Sequence, residues 1–511
     1  MRAQISHSNV KEGAFISLPS SKSLSHRALI TAALATGVSK IDGVAISKDI
    51  EATMRAMSAL GASFTVNGNT ITVKGAGSLL KSDGVVDCGE SGSTLRFLIP
   101  LFALLEKETV FTDDIRPVPA SELEARLERF REEMNNRHPN WEMAAINHKV
   151  AMYYFTGTMQ EGVLIIRPHD AVLWVRRSYD RACKESHFDD IRPMHSFREA
   201  SAYYGHAPKV IYMEIKRATV DWERMLRKYF SFEEIVGIDD ILNDLRMVKS
   251  KYELDMMAIS GAIHETVLDV IAPTMIKGGV SEAQLAINLY GEMVARGSHG
   301  IARFNLPMGE EVIGIAAFGK SGLVRTAFDG PGGTNGTGIA VQSIGNAFRK
   351  LKPGRLVYLD IPCGFDGYHT DKTVVYYYGD IHKDEQGVKI LAAQERCLEL
   401  EQEVVSMMAP GVAIESLYLR TMARFNNVYG DSFMNGGKFL GHSIGLVMDE
   451  APAIAKGFKQ QLEPGMTFAV EPKIALPGLG MVGTENTYVI TERGAKSLTG
   501  RSHSLRVVEP N

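Results

Sequence analysis

Two apolar runs joined at Asp366-Gly367 most constrain how this chain of 511 residues can fold. The segment reads RLVYLDIPCGFDGYHTDKTVVYYYG, and an Asp-Gly pair between two such runs is a strong hairpin signal. With that turn, Asp360 lies directly opposite Thr373, and Asp371 lies two residues further along on the same face. Two carboxylates that face each other in a buried sheet repel strongly unless cations lie between them. The hairpin therefore predicts a cation site.

Three further candidate ligands lie in two later segments with strand and turn character. GGKFLGHSIGLVMDEAP contains His442, and EPGMTFAVEPKIALPGLGMVGTENTYVIT contains Glu471 and Glu485, which are 14 residues apart and suit two adjacent strands. Oxygen-rich ligation with one imidazole favours Mn, Fe, Co or Zn, and four carboxylates would balance two divalent cations. We therefore predict two divalent metal ions at a site formed by Asp360, Asp371, His442, Glu471 and Glu485.

Residues 246–511 resemble the pita-bread metallohydrolases, which include methionine aminopeptidase, aminopeptidase P, prolidase and creatinase. The family pattern of D-x-G, D-x-T-R-T, G-H-G-I-G, E-P-G and a final Glu has its counterparts in Asp360-Ile361-Pro362, Asp371-Lys372-Thr373, Gly441-His442-Ser443-Ile444-Gly445, Glu471-Pro472-Lys473 and Glu485-Asn486. The resemblance implies that Asp371 and Glu485 bridge both ions. It further implies that Asp360 binds one ion, while His442 and Glu471 bind the other.

The same resemblance implies metal-assisted hydrolysis of a C–N bond. A water that bridges the metals would act as hydroxide near neutral pH and attack a carbonyl or guanidino-type carbon. Glu471 would then shuttle the proton to the leaving nitrogen as the catalytic residue.

The residues expected around the substrate depart from the family pattern. The family has a second histidine seven residues after the ligand histidine, and this chain has Asp449 there, an acceptor with no proton to give at pH 7. Val374 replaces the arginine of D-x-T-R-T, and AAFGKSGLVRTAFDGPGGTNGTG lacks the family's other substrate-contacting histidine. We expect Asp449 to contact the substrate, which would be a small peptide or a small amide-like molecule.

Residues 113–245 resemble the amino-terminal domain of the aminopeptidase P, prolidase and creatinase branch. Ser121-Glu122-Leu123-Glu124 predicts a capping box that opens a helix. Helical spacing predicts a buried face formed by Leu123, Leu127, Phe130 and Met134. In the family this domain restricts access to the site and often mediates dimer contacts, so we expect a homodimer.

Residues 1–112 alternate strand-like and helix-like segments, with a hairpin turn predicted at Asn67-Gly68. Lys22, Ser23 and Arg27 lie at the start of a predicted helix, which is a suitable place to bind an anion. The segments S-K-S-x-S-x-R and C-G-x-S-G-x-T-x-R resemble the start of 5-enolpyruvylshikimate-3-phosphate synthase. That resemblance implies carboxyvinyl transfer from phosphoenolpyruvate to shikimate 3-phosphate.

The resemblance to the transferase ends near Thr112, before the second globular domain of that enzyme. A transferase site between two domains must assemble its binding energy from both. Two interpretations of Lys22, Ser23 and Arg27 therefore remain open. They form either a working anion site or a small solvated basic cluster on a relic domain.

Together these features predict an α/β (α+β) protein of three domains. They are a partial βαβαββ-type inside-out barrel fragment over 1–112, a creatinase-type amino-terminal α/β domain over 113–245 and a pita-bread domain over 246–511. The net charge of -4 and the pI near 6.4 give no electrostatic reason to expect nucleic acid or an acidic membrane as a partner. The absence of a leader and four widely spaced cysteines indicate a cytoplasmic protein with free thiols.

The letters of a phosphate loop occur at Gly314 to Ser321, but Gly322 and Gly330-Pro331 follow where that loop needs a helix. We therefore predict no nucleotide site there. The leading hypothesis is an X-Pro aminopeptidase or dipeptidase with two metal ions. The alternatives are a creatinase-like hydrolase of a non-peptide C–N bond, a 3-phosphoshikimate 1-carboxyvinyltransferase, and a metal-binding scaffold without catalysis.

Overall fold

The structure is a computed structural model. It describes residues 16–17, 21–77, 85–88, 91, 94–95, 97–99, 110–112, 117–205, 208–304, 310–311, 313–325, 330–338 and 345–510. The chain forms two compact units, Met1–Pro117 and Val118–Asn511. Among the described residues, no helix combines the length and the apolar character needed to cross a bilayer. The mixed α/β class is confirmed, while the division into three domains stays a prediction.

The first unit follows the predicted order of strands and helices. Its elements are β1 (Ile16–Ser17), α1 (Lys22–Leu34), β2 (Val38–Asp42), α2 (Lys48–Ala59), β3 (Ser63–Asn67) and β4 (Thr70–Lys74). The four strands form one sheet in the order β1-β2-β4-β3. A separate parallel pair joins β5 (Val85–Asp87) to β6 (Val110–Thr112). Apolar side chains from the helices and the sheet form its core, among them Leu29, Ile50, Met57, Ile71 and Val73.

The hairpin predicted around Asn67-Gly68 is present, but its turn lies one residue later. Asn67 pairs with Thr70 across the two strands, so the turn residues are Gly68 and Asn69. Gly68 has a φ angle of +58°, which glycine adopts without a steric penalty. The prediction of a hairpin is confirmed, and the turn position was wrong by one residue.

The second unit begins with a six-stranded sheet flanked by helices. Its strands are β7 (Ala144–Ile146), β8 (Gly162–Ile166), β9 (Ala171–Val175), β10 (Ile191–Pro193), β11 (Val210–Met213) and β12 (Glu234–Gly237), in the order β10-β9-β8-β7-β11-β12. The helices are α3 (Ala120–Arg137), α4 (Lys149–Thr156), α5 (Tyr179–Glu185), α6 (Phe197–Tyr204), α7 (Val220–Tyr229) and α8 (Asp239–Met247).

The capping box predicted at Ser121 is wrong, although the helix itself is present. Helix α3 begins at Ala120 with Pro119 as its N-cap, and no side chain caps it. Ser121 is already inside the first turn, so it cannot serve as the N-cap. The predicted buried face is confirmed, because the structure buries all of its members, Leu123, Leu127, Phe130 and Met134.

The remainder of the second unit is built on a nine-stranded sheet. Seven strands follow one path, β15 (Ile315–Phe318), β16 (Arg355–Phe365), β17 (Tyr368–Tyr378), β23 (Glu485–Thr491), β20 (Thr467–Val470), β18 (Phe439–Ser443) and β19 (Glu450–Ala455). Strand β24 (Gly494–Ser497) adds to β23, and β25 (Arg506–Val508) adds to β17. Two small hairpins lie outside this sheet, β13 (Ala302–Arg303) with β14 (Glu310–Glu311), and β21 (Lys473–Leu476) with β22 (Gly480–Gly483).

Helices pack against this nine-stranded sheet. They are α9 (Lys251–His264), which continues as a π-helical stretch over Glu265–Ile271, α10 (Ala272–Met275), α11 (Glu282–Ala295), α12 (Gly387–Met407) and α13 (Ile414–Tyr429). The sheet and the helices bury aromatic and aliphatic side chains together, including Tyr376, Leu359, Leu285 and Leu400. The central strands are therefore covered, which places their polar side chains in a poorly solvated interior.

Arg126 joins helix α3 to the nine-stranded sheet and to helix α9. Its guanidinium donates to the carbonyl of Tyr154 at 2.7 Å and lies 2.8 Å from the hydroxyl of Tyr368 on β17. It also lies 3.4 Å from a carboxylate oxygen of Glu253 on α9, and both side chains are almost completely buried. A buried charge of this kind is tolerated only while its partner is present.

We expect Arg126→Met to lower the free energy of unfolding by about 3–5 kcal/mol, because it leaves Glu253 buried without its counter-charge. Arg137→Met on the same helix is the matched control. Arg137 pairs with Asp244 at 2.6 Å but is 39% exposed, so its loss should cost no more than about 1 kcal/mol. Chemical denaturation measures both values. Equal losses in the two variants would contradict the role of Arg126 as the buried counter-charge of Glu253.

His264 at the end of α9 is held as a neutral imidazole. Its Nε2 lies 2.7 Å from the carbonyl of Ile361, and its Nδ1 lies 2.9 Å from the hydroxyl of Thr370. The carbonyl can only accept, so Nε2 carries the proton and Nδ1 accepts from Thr370. Burial, with a smaller contribution from Lys372, lowers the pKa of His264 to about 3.

The unfolded chain therefore binds a proton at this position at a higher pH than the folded chain does. The contribution of neutral His264 to the free energy of unfolding is present in full above pH 6.5 and is lost as the pH falls from there through about 3. At pH 5 the loss is about 2 kcal/mol from this residue alone. We expect the difference in unfolding free energy between pH 7 and pH 5 to shrink by about that amount in His264→Gln. An unchanged difference would refute a neutral His264.

Candidate metal centre

The predicted hairpin and its register are confirmed. Asp366 and Gly367 have φ angles of +45° and +86°, as a two-residue turn between twisted strands requires. Asp360 on β16 pairs with Thr373 on β17, and Asp371 lies two residues along β17. The Thr373 hydroxyl lies 3.0 Å from Asp360 Oδ1. The hairpin therefore brings both aspartates to one place in the covered sheet.

The other three predicted ligands lie on neighbouring strands of the same sheet. His442 is on β18, Glu471 directly follows β20, and Glu485 begins β23. Strand β20 pairs with β23 in antiparallel register, so the predicted adjacency of the two glutamate strands is confirmed. All five predicted residues line one cavity of about 250 Å³. The structure thus brings together every ligand proposed from the sequence.

A lysine that the sequence analysis passed over lies at the centre of this group. The ammonium of Lys473 is 3.0 Å from Asp360 Oδ2, 2.8 Å from Glu471 Oε2 and 2.7 Å from Glu485 Oε2. Its side chain is only 1% exposed. The three donors of a lysine ammonium are therefore matched by three carboxylate oxygens, which leaves none free.

The charges around the ammonium determine how these groups titrate. Burial opposes the charged form of Lys473, but Asp360, Glu471 and Glu485 outweigh burial and raise its pKa well above the usual value. Burial also raises the pKa of Asp371 to about 8, with Asp360 adding to the effect. Burial would raise the pKa of Asp360, but Lys473 and the hydrogen bond from Tyr358 contribute to a net lowering. The pKa of Glu485 is also raised well above its usual value, because burial and the neighbouring carboxylates, Asp371 foremost, outweigh Lys473. One ammonium therefore offsets only part of the negative charge of the centre.

Asp360 already has a polar partner for each of its carboxylate oxygens. Oδ1 lies 3.0 Å from the Thr373 hydroxyl, which also lies 2.9 Å from Glu485 Oε2 and can donate to only one of the two. Oδ2 accepts from the Tyr358 hydroxyl at 2.6 Å as well as from Lys473. Glu471 also has one oxygen on Lys473, while its Oε1 lies 3.6 Å from His442 Nε2. In this half of the centre, Lys473 therefore provides a positively charged donor to one oxygen of each carboxylate.

The other half of the centre has the composition of a site for one divalent ion. Among the described residues, Asp371, His442 and Glu485 each offer one ligand atom, and these atoms lie within 4.8 Å of one another. Glu485 Oε1 is buried and has no hydrogen-bond partner within the described part of the chain. His442 Nδ1 lies 3.1 Å from the carbonyl of Ser443. A proton on Nδ1 leaves the Nε2 lone pair for a metal.

The number of ions stays a prediction, and the position of Lys473 bears on it. A second ion on Asp360 and Glu471 would lie where the Lys473 ammonium contacts both carboxylates, and two cations cannot share that space. The roles of Asp360 and Glu471 as ligands of separate ions also stay predictions. Asp371, His442 and Glu485 fit one ion, and their assignment as metal ligands stays a prediction.

Asp449 lies at the cavity, where the sequence analysis expected a substrate contact. Its carboxylate is 48% exposed and lies 3.4 Å from His442 Nδ1. Burial would lower the pKa of His442, but Asp449 and the carboxylates behind it raise it above the usual value. The contact between Asp449 and substrate remains a prediction.

The structure describes only part of the anion site predicted in the first unit. Lys22 and Ser23 lie in the first turn of α1, but their side chains fall outside the described residues. Arg27 is exposed, and its guanidinium lies 5.5 Å from the centre of the Phe97 ring. Binding of an anion by Lys22, Ser23 and Arg27 stays a prediction.

Three family models match consecutive parts of the chain. Residues 255–492 match metallopeptidase family M24, and residues 126–248 match the creatinase/prolidase N-terminal domain. Residues 10–118 match EPSP synthase (3-phosphoshikimate 1-carboxyvinyltransferase). All three resemblances drawn from the sequence are confirmed.

Curated relatives and solved structures agree with these matches. The Xaa-Pro dipeptidase of Pyrococcus furiosus is 26% identical over 364 residues, which are 70% of this chain and 92% of that protein. The structure of the prolidase from Pyrococcus furiosus aligns with a TM-score of 0.60 at 24% identity and covers 73% of this chain and 100% of its own. The Xaa-Pro dipeptidase from Bacillus anthracis aligns with a TM-score of 0.63 at 20% identity, covering 75% of this chain and 99% of its own. The predicted pita-bread fold with a creatinase-type domain before it is confirmed.

The first unit has different relatives. The 3-phosphoshikimate 1-carboxyvinyltransferase of Clostridium kluyveri is 48% identical over 99 residues, which are 19% of this chain and 23% of that protein. The chain thus spans about a quarter of the length of the transferase that it matches. The dipeptidase relatives, in contrast, are covered almost end to end.

Proposed function

We propose a metal-dependent hydrolase that cleaves the C–N bond of a small X-Pro peptide, and the match of residues 255–492 to metallopeptidase family M24 supports the proposal. One observation carries the proposal. Asp371, His442 and Glu485 converge on one cavity, and a buried oxygen of Glu485 there has no partner among the described residues. An unpartnered buried carboxylate oxygen is costly unless a cation or a donor joins it.

The cavity favours a small substrate. Its volume of about 250 Å³ lies just below the common range of ligand pockets, roughly 300–1,000 Å³. Apolar side chains line it beside the charged centre, among them Ile315, Pro331, Pro362 and Phe439. A proline ring could pack on such a surface while the scissile bond faces the polar groups. A dipeptide therefore suits the space better than a long chain does.

Each polar residue has a distinct part in the proposed reaction. When bound by Asp371, His442 and Glu485, a divalent ion would supply Lewis acidity. Glu471 would take the proton from the attacking water and deliver it to the leaving nitrogen. Lys473 holds Glu471 Oε2 at 2.8 Å, which fixes the position of that carboxylate while Oε1 faces His442.

A non-peptide C–N hydrolase of the creatinase kind is the second candidate, and Asp449 favours it. An exposed carboxylate at the cavity can accept from a cationic group such as a guanidinium. The same carboxylate would also suit the amino-terminal ammonium of a dipeptide. Assays should therefore compare X-Pro dipeptides with creatine-like amides under the same conditions.

We expect hydrolysis of X-Pro dipeptides with added Mn²⁺, Co²⁺ or Zn²⁺, and its loss after chelation. Asp371→Asn and His442→Ala should each lower kcat/KM by at least about 100-fold, since even outer partners of metal ligands are worth 10–100-fold. Asp380 is exposed and lies two residues beyond the end of β17, so Asp380→Asn should leave kcat/KM unchanged.

Other results would identify the remaining hypotheses. Turnover of creatine-like amides alone would select the second candidate. Bound metal with no turnover on either substrate class would leave the non-catalytic scaffold. Phosphate release from phosphoenolpyruvate with shikimate 3-phosphate, unaffected by Asp371→Asn, would select the carboxyvinyltransferase. The cytoplasmic location and the homodimer stay predictions.

A further inference from the structure

Lys473 occupies the centre as a fixed cation. Its ammonium has three short contacts to carboxylate oxygens, and these use all three of its donors. With no free donor and almost no exposure, the ammonium is not available to contact a substrate. Its role is confined to the carboxylates that surround it.

The backbone around Lys473 is shaped to accommodate the lysine stem. Lys473 begins β21 and pairs with Gly483 on β22. A Cβ atom at Gly483 would lie 2.6 Å from Cγ of Lys473, a distance that real Cβ atoms do not reach. The same Cβ would lie 2.8 Å from the carbonyl oxygen of Pro472 and 2.9 Å from Cα of Lys473. The close approach of the two strands therefore requires glycine at position 483, and the missing side chain also leaves room for the lysine stem.

The ligand oxygens divide cleanly between the ammonium and a possible ion. Asp360 Oδ2, Glu471 Oε2 and Glu485 Oε2 face Lys473. Glu485 Oε1 has no partner among the described residues, and one carboxylate oxygen of Glu485 lies within 4.8 Å of ligand atoms of Asp371 and His442. Glu485 thus has one oxygen on Lys473 and a second oxygen that an ion could join.

We propose that this centre binds one divalent ion, at Asp371, His442 and Glu485, and that the Lys473 ammonium permanently replaces a second. The inference rests on the proposed hydrolase function for its catalytic role. The number of bound ions, however, can be measured whether or not the chain hydrolyses a substrate. Asp360 is then a partner of Lys473 and is not a metal ligand. Glu471 is likewise held by Lys473 and remains available on its other oxygen.

The test counts ions on the full chain after removal of metal with a chelator and titration with Mn²⁺. Isothermal titration and elemental analysis should give one Mn²⁺ per chain, and electron paramagnetic resonance should show an isolated ion without coupling to a second. Lys473→Gly, which empties the position of the ammonium, should bind two ions with mutual coupling. Lys249→Met removes a different buried lysine, which pairs with Glu450 at 3.0 Å, and should still bind one.

Two more variants keep the test decisive if Lys473→Gly does not fold. Asp360→Asn in the otherwise unchanged chain should keep the single ion, whereas His442→Ala should lose it or weaken its binding by at least about 100-fold. Two ions in the unaltered chain, or none at millimolar Mn²⁺, would overturn the proposal, as would loss of the ion in Asp360→Asn. If one ion binds without hydrolysis, the proposed function fails and this inference stands. If two ions bind and the chain hydrolyses X-Pro dipeptides, this inference fails and the proposed function stands.

Discussion

The contact between one ammonium and three carboxylates is the interaction on which the rest of this centre depends. The sheet places Asp360, Asp371, Glu471 and Glu485 in a covered interior, where unpaired negative charge is strongly unfavourable. Lys473 neutralises part of that charge with a group that belongs to the chain. The carboxylates can therefore stay close together in the folded protein before any ion binds.

The position of the five ligand candidates could be predicted from the sequence because strand geometry determines it. The Asp-Gly turn sets the register of β16 with β17, and that register places Asp360 beside Thr373. Glu471 and Glu485 lie at corresponding ends of paired strands, so they meet once β20 and β23 pair. Local turn chemistry and the alternation of side chains were sufficient for this part.

Lys473 was missed although its signal was in the sequence. The motif E-P-G reads Glu471-Pro472-Lys473 here, and residues two apart in extended chain point to the same side. A lysine in place of the glycine should therefore reach the carboxylate of Glu471. Matching ligand types alone could not reveal this, because the added cation changes what the same carboxylates bind. The misplaced capping box has a different cause, since Ser121 lies inside the helix that starts at Ala120, and only the structure shows where that helix begins.

Replacing an ion by an ammonium changes the charge left over at the centre. In the proposed centre, four carboxylates ionised by the bound ion would face one divalent ion and one ammonium and retain one negative charge in excess, whereas two ions would neutralise them completely. Asp449 adds a second negative charge at the exposed side of the cavity. Under that proposal the combined field would favour a substrate that carries a positive group near the scissile bond, such as the amino-terminal ammonium of a dipeptide or a guanidinium. A single lysine thus links the number of ions to the charge of the molecule that the cavity can hold.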